Sequence, residues 1–80
     1  MPALKILAFA QARSAMGFAE RAVEVLLTDT PRMILMRLLE NQSESVCNTC
    51  RVAIDLEYHT WDEPVRNAQE MAIIPPVSGG

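Results

Sequence analysis

Hydrophobic and polar residues alternate in two stretches near the amino end of the chain, and this alternation predicts two β-strands. The first stretch is residues 4–10, with Lys5, Leu7 and Phe9 on one face and Leu4, Ile6 and Ala8 on the other. The second is Arg21–Leu27, in which Val23 and Val25 are β-branched. Residues 11–17 break the alternation and indicate a helical turn that ends at Gly17. We expect the two strands to pair with each other.

A helix is predicted to begin shortly after the second strand. Thr30 is a suitable N-cap, and Pro31 suits the first helical position because its missing N–H has no helical partner there. Four apolar residues then share one face at helical spacing: Ile34, Leu35, Leu38 and Leu39. We interpret this face as the part of a core helix that packs on a sheet, and not as a ligand groove.

The second half of the chain is predicted to contain a polar loop and further short strands. The loop is residues 40–50, followed by a strand over residues 51–55 and a short return segment over residues 57–61. Residues 62–69 form another loop, and the last strand is residues 70–74. In that strand one face carries Met71 and Ile73, and the other carries Ala72 and Ile74.

This order, β-β-α-β-β with one long helix, predicts an α+β fold in which the helix covers one side of a mixed sheet. That arrangement is the ubiquitin-like β-grasp, with the first and last strands as the central pair. We expect residues 1–75 to form this domain and residues 76–80 to form an extended carboxyl-terminal tail.

Composition and charge narrow the possible functions. Eighty residues, half of them hydrophobic, suit one small globular domain. A net charge of −3 and a pI near 4.9, without a basic run, argue against a nucleic-acid partner. No apolar stretch reaches the roughly 20 residues of a membrane helix, and the amino end lacks a signal-peptide pattern. We therefore expect a cytoplasmic protein with no membrane partner.

The two cysteines form a C-x-x-C motif, Cys47 and Cys50, which is a weak sign of a metal site or a redox pair. A zinc site takes four ligands, and His59 is the only histidine, so the three side chains together do not suffice. A thioredoxin-like motif would lie between a strand and a helix, whereas this one precedes a strand. We interpret the pair as loop cysteines and His59 as a surface or packing residue, and expect no metal; a C-x-x-C metal-binding module stays as a weaker alternative.

The segments LKILAFAQARSAMG and EMAIIPPVSGG resemble the small subunit of molybdopterin synthase, the sulfur carrier of molybdenum cofactor synthesis. The most specific part is residues 75–80, supported by Phe9-Ala10-Gln11 and Arg13. The chain departs from the family pattern where Asp55 replaces an Asn and where residues 68–70 replace a Gly-Asp-Glu turn. The C-x-x-C motif is also outside that pattern.

The resemblance implies that the Gly80 carboxylate is adenylated, converted to a thiocarboxylate and used to donate sulfur to precursor Z (cyclic pyranopterin monophosphate). It implies two protein partners: an ATP-dependent activating enzyme, and the large synthase subunit in a heterotetramer. The chain would bind no permanent cofactor, since ATP is used by the activating enzyme, and it would have no catalytic activity by itself. We also expect a partner-binding set at the base of the tail. The outward faces of the first and last strands present Phe9 and Ile74, and the resemblance places Tyr58 beside them. The set continues along the tail with Pro75, Pro76, Val77, Ser78 and Gly79.

Two rivals share the carboxyl-terminal Gly-Gly. A thiamine-type sulfur carrier is disfavoured because such chains tend to be shorter and to lack the Pro-Pro step. A ubiquitin-like modifier, conjugated to target lysines through Gly80, uses the same activation chemistry and is not excluded by the sequence.

Overall fold

The computed structural model describes residues 3–76, in which five strands form one mixed sheet. The strands are β1 (Ala3–Ala8), β2 (Glu20–Glu24), β3 (Arg51–Ile54), β4 (Glu57–His59) and β5 (Glu70–Ile74). The helices are α1 (Gln11–Met16), α2 (Pro31–Leu39) and α3 (Ser43–Thr49), with a 3₁₀ turn at Glu40–Gln42 between the last two. The strand order across the sheet is β2-β1-β5-β3-β4.

The first and last strands form the centre of the sheet, as predicted. Strand β1 runs parallel to β5, with Ile6 opposite Met71 and Leu7 opposite Ala72. Strands β2 and β3 flank this pair, and both run antiparallel to their central neighbours. The predicted α+β arrangement of a mixed sheet under a main helix is therefore confirmed.

The core lies between α2 and one face of the sheet. The alternation predicted in β1 and β5 is confirmed, because Leu4, Ile6 and Ala8 are buried, as are Met71 and Ile73. On α2, Ile34 and Leu35 are fully buried, whereas Leu38 and Leu39 pack at the margin of the core. Complete burial of one such side chain contributes about 1.5 to 3 kcal/mol.

Helix α2 begins as the sequence predicts. Pro31 is its first residue, and the Thr30 hydroxyl oxygen accepts a hydrogen bond of 3.2 Å from the Met33 N–H. This bond satisfies one of the backbone donors that a helix start leaves unpaired.

The prediction of a loop over residues 40–50 is wrong, because most of this segment is helical. Ser43, Val46 and Cys47 recur at helical spacing and are buried, so α3 covers the core beside α2. The apolar side of this helix is narrow, and the polar residues around it hide the period in the sequence.

Strands β1 and β2 end earlier than predicted. Ala10 has φ 46°, which no strand residue adopts, so β1 stops before it. Strand β2 stops at Glu24 because the chain turns over residues 26–29, where the Asp29 N–H donates to the Leu26 carbonyl at 3.0 Å.

A buried carboxylate stabilises this turn. Asp29 is 1% exposed, and its Oδ2 accepts hydrogen bonds from the Leu26 N–H at 2.9 Å and from Arg37 Nη2 at 2.5 Å. Its backbone carbonyl accepts from the Val65 N–H at 2.8 Å, which ties the loop before β5 to the turn before α2. Burial by itself raises the pKa of Asp29. The hydrogen bond from Leu26 and the hydrogen bond and charge of Arg37 together lower it by more, so the pKa lies below its ordinary value.

The stability that the Asp29 carboxylate provides should disappear in acid. Because its pKa is lowered by folding, its contribution is fully present above the unfolded value of about 3.9 and is lost as the pH falls through the folded value. We expect Asp29→Asn to lower the free energy of unfolding by about 1.5 to 3 kcal/mol at pH 7, and by less at pH 3. Urea denaturation at both pH values measures this.

The control is Asp62→Asn, which removes an exposed ion pair with Arg32 and should change stability far less. An equal loss for Asp29→Asn at pH 7 and pH 3 would contradict the role assigned to the charge.

Candidate docking face and tail base

An apolar patch covers the face of the sheet that points away from the helices. We call it the outer face, and it comprises Leu7, Phe9, Ala53, Leu56, Tyr58, Ala72 and Ile74. These side chains line a shallow depression of about 360 Å³. Among the described residues, Glu70 supplies the one charged side chain in this lining.

Several members of the outer face are large and exposed. Phe9 is 46% exposed, Tyr58 68% and Leu56 88%. Single exposed apolar residues occur on every protein surface, but a contiguous group of them is typical of an interaction site. This arrangement is suited to binding an apolar surface of another molecule.

Strand pairing brings the outer face together from distant parts of the chain. Ala53 is opposite Tyr58 in the β3–β4 pair, and the Phe9 N–H donates to the Ile73 carbonyl at 3.4 Å. The three side chains that the sequence analysis groups, those of Phe9, Tyr58 and Ile74, line the same depression in the structure.

The chain leaves the sheet at one end of the outer face. Pro75 and Pro76 follow β5, and depressions of about 430 and 250 Å³ flank them. The larger depression is lined by the end of α3, Arg51 and Tyr58, and the smaller one by α1 and α3. The expected tail residues Val77, Ser78, Gly79 and Gly80 lie outside the described residues.

A cation–π contact orders the border between the outer face and the tail base. The Arg51 guanidinium lies 5.2 Å from the centre of the Tyr58 ring. Arg51 is opposite Ile74 in the sheet, so the contact places the Tyr58 ring next to the point where β5 ends.

Cys47 is a helix residue, which corrects the prediction for this cysteine, whereas Cys50 lies between α3 and β3 as predicted. Cys47 is buried in the core side of α3, and Cys50 is the half-buried residue that ends this helix. Burial raises the pKa of the Cys47 thiol, and the charge of Arg32 only partly offsets this, so Cys47 is a weak nucleophile at neutral pH. Cys50 lines both depressions beside the prolines.

His59 and the acidic residues give no sign of a metal centre. The Nε2 atom of His59 lies 3.0 Å from the Glu63 carbonyl oxygen, a contact that suits a packing role. Within residues 3–76, no three His, Cys, Asp or Glu side chains are grouped to hold an ion. No helix in the same range is long and apolar enough to cross a bilayer.

Four members of the outer face were not included in the partner-binding set expected from the sequence. Leu7, Ala53 and Ala72 are small or medium apolar residues on strands, and the strand alternation already placed Leu7 and Ala72 on this side. Leu56 is in the turn between β3 and β4. The sequence contains one indication of its role, which is that an apolar residue occupies a turn position that usually takes Gly or Asn.

Comparison with known sequences identifies the family of this chain. The family described as the ThiS family matches residues 6–80. The molybdopterin synthase sulfur carrier subunit of Mycosarcoma maydis is 33% identical over 88 residues, covering 99% of this chain and 95% of that protein. The subunit of the same name from Dictyostelium discoideum is 32% identical, covering 95% and 94%. That of Arabidopsis thaliana is 35% identical, covering 96% and 82%.

Solved structures share the fold. A molybdopterin converting factor subunit 1 from Pyrococcus furiosus superimposes with a TM-score of 0.72 at 19% identity, covering 96% of this chain and all of that one. A structure of the small archaeal modifier protein 1 of Haloferax volcanii gives a TM-score of 0.70 at 18% identity with the same coverage. The predicted ubiquitin-like β-grasp fold is thereby confirmed. Together with the curated relatives, this shows that the chain belongs to the molybdopterin synthase sulfur carrier subunits of the ThiS family.

Proposed function

We propose that this chain carries sulfur on the carboxyl group of Gly80 and delivers it to the large subunit of molybdopterin synthase. The observation that carries the proposal is the outer face, an exposed apolar surface that adjoins the exit of Pro75 and Pro76. A partner that binds this surface also holds the point at which the chain leaves the sheet. The sulfur chemistry in this proposal is inferred from membership in the sulfur carrier family.

The activation step uses a property of any terminal carboxyl group. Its pKa is near 3.5, so at neutral pH the anion can attack the α-phosphate of ATP, form an acyl-adenylate and release pyrophosphate. A sulfur donor then displaces AMP and leaves a thiocarboxylate. ATP and the catalytic groups belong to the activating enzyme, so the carrier needs no bound cofactor.

The tail sequence suits delivery into a narrow site. Pro75 and Pro76 lack N–H donors and cannot extend a sheet, and their fixed φ favours an extended chain. Four residues, Val77 to Gly80, then reach roughly 13 to 14 Å when extended. Glycine at the last two positions allows close approach of the backbone to a partner, because there is no side chain to exclude it.

In the proposed reaction the large subunit holds precursor Z and supplies the acid–base groups. The carrier brings one sulfur atom in each visit, whereas the dithiolene of the cofactor needs two. It must therefore be discharged, released and charged again, in the cytoplasm and within a heterotetrameric synthase. The affinity for each partner should accordingly be moderate.

The intact mass of the protein purified from its native host tests the proposal. We expect a fraction whose mass corresponds to replacement of one oxygen by sulfur at the carboxyl end, and no such fraction in a variant that lacks Gly80. Isopeptide conjugates of Gly80 with other proteins, without any thiocarboxylate, would instead support a protein modifier.

A further inference from the structure

The turn between β3 and β4 holds a leucine in a conformation that leucine avoids. Ile54 pairs with Glu57, so Asp55 and Leu56 form a two-residue loop, and their φ angles are 48° and 71°. Two positive φ values in such a loop are typical of a type I′ turn, which prefers Asn, Asp or Gly. Asp55 suits this turn, but Leu56 does not, because its Cβ crowds the backbone in the left-handed region.

The turn is fixed to the sheet and does not shift to relieve this crowding. Asp55 Oδ1 accepts hydrogen bonds of 3.0 Å from the N–H groups of Gln69 and Glu70. The Asp55 N–H donates in return to the Glu70 carbonyl at 3.0 Å. These three bonds attach the turn to the start of β5, so the position of Leu56 is set before any partner arrives.

The Leu56 side chain makes little contact with the rest of the domain, so packing does not offset the strain of its backbone. It is 88% exposed, the highest value among the large apolar residues of the described chain. An Asn or Gly would relieve the crowding, so what leucine adds at this position is an apolar side chain at the edge of the outer face. Such a combination of local strain and exposure is typical of functional positions.

We propose that Leu56 is an anchor for the large subunit of molybdopterin synthase, inserted into an apolar pocket at the end of the outer face remote from the tail. This inference rests on the proposed function. The contact would be pre-organised, because the turn pays no ordering entropy when the partner binds. It would complete a continuous surface from Leu56 to Ile74.

The extent and charge of this surface define the partner. Leu56 is beside Glu70 at the start of β5, since its neighbour Asp55 is hydrogen-bonded to Glu70. Ile74, at the tail base, is four residues further along β5, a distance of about 13 Å. A partner that contacts both ends covers the length of β5, which suits a subunit that must hold the domain steady while Gly80 reacts in its site. Among the described residues, the carboxylates of Asp55, Glu57 and Glu70 near Leu56 outnumber the ammonium of Lys5, so the pocket should have a basic border.

Titration of the purified large subunit with Leu56→Asn and Leu56→Met tests the anchor. We expect Leu56→Asn to weaken binding about 10- to 30-fold, because it removes the apolar contact. The same variant should raise Tm by roughly 4 to 8 °C, because Asn tolerates the left-handed region. Leu56→Met keeps an apolar side chain and should bind nearly as the wild type does.

A second control is Leu27→Asn, which changes a leucine that is 48% exposed but outside the outer face, and which should leave binding unchanged. If Leu56→Asn binds the large subunit normally while Phe9→Ala does not, the anchor is wrong and the proposed function stands. If the wild type neither binds the large subunit nor carries a thiocarboxylate, the proposed function itself fails. A wild-type homodimer in sedimentation that Leu56→Asn dissociates would also overturn the proposal, since the face would then serve self-association.

Discussion

Removal of Gly80, or addition of one residue after it, should abolish sulfur transfer while the fold stays unchanged. The proposed thiocarboxylate forms at this one carboxyl group, and a shortened or lengthened tail would place it about 3.5 Å from its required position. Misplacement of a reacting group by far less already slows catalysis strongly. Within residues 3–76 the buried core extends from Leu4 to Ile73, and we expect the free energy of unfolding not to depend on Gly80.

The measurement is formation of molybdopterin from precursor Z with the purified large subunit and the carrier chemically converted to its thiocarboxylate. Gly79→Ala is the graded variant, because a single methyl group should impair entry into partner sites with little effect on unfolding. Molybdopterin formation by the chain without Gly80 at the wild-type rate would refute the carrier mechanism.

Truncation of Phe9 or Ile74 to alanine should weaken the complexes with both the activating enzyme and the large subunit. Both side chains line the outer face next to the tail base, where each partner must hold the domain in order to receive Gly80. We expect each substitution to cost about 1 to 3 kcal/mol of binding free energy if the side chains are anchors. Phe9→Ala is the cleaner variant, since Phe9 is 46% exposed and follows the end of β1.

Titration of each purified partner provides the two affinities, and Met36→Ala provides the control. Met36 is 56% exposed on α2, away from the outer face, and its loss should leave both affinities unchanged. Because the tail has one base, the two partners should also compete. A ternary complex, or normal binding of both partners by Phe9→Ala, would contradict a shared surface.

The sequence predicted the elements whose pattern is long and regular. Alternation in β1 and β5 identified the central strands and their buried faces, and the cap at Thr30 located the start of α2. Helix α3 was missed because only Ser43, Val46 and Cys47 face its core side, and two of these are small. A narrow apolar stripe in a polar segment resembles a loop until its packing partner is known.

The site was predictable only in part, for a different reason. Phe9 and Ile74 were placed on the outward faces of the first and last strands, but Tyr58 was added through a family resemblance, since alternation does not show which strand is its neighbour. The role proposed for Leu56 depends on a backbone angle, and a sequence does not display φ. The tail residues from Val77 onward lie outside the described residues, so their assignment still depends on the sequence.

The position of β5 between β1 and β3 has a mechanical consequence. A partner that draws the tail into a deep pocket pulls on β5 along its own axis, and this load acts in shear on two ladders at once. Hydrogen bonds loaded in shear must break together, whereas those at a sheet edge can open one after another. The domain should therefore resist deformation, so that a force applied at Gly80 displaces the entire domain before it pulls β5 out of the sheet.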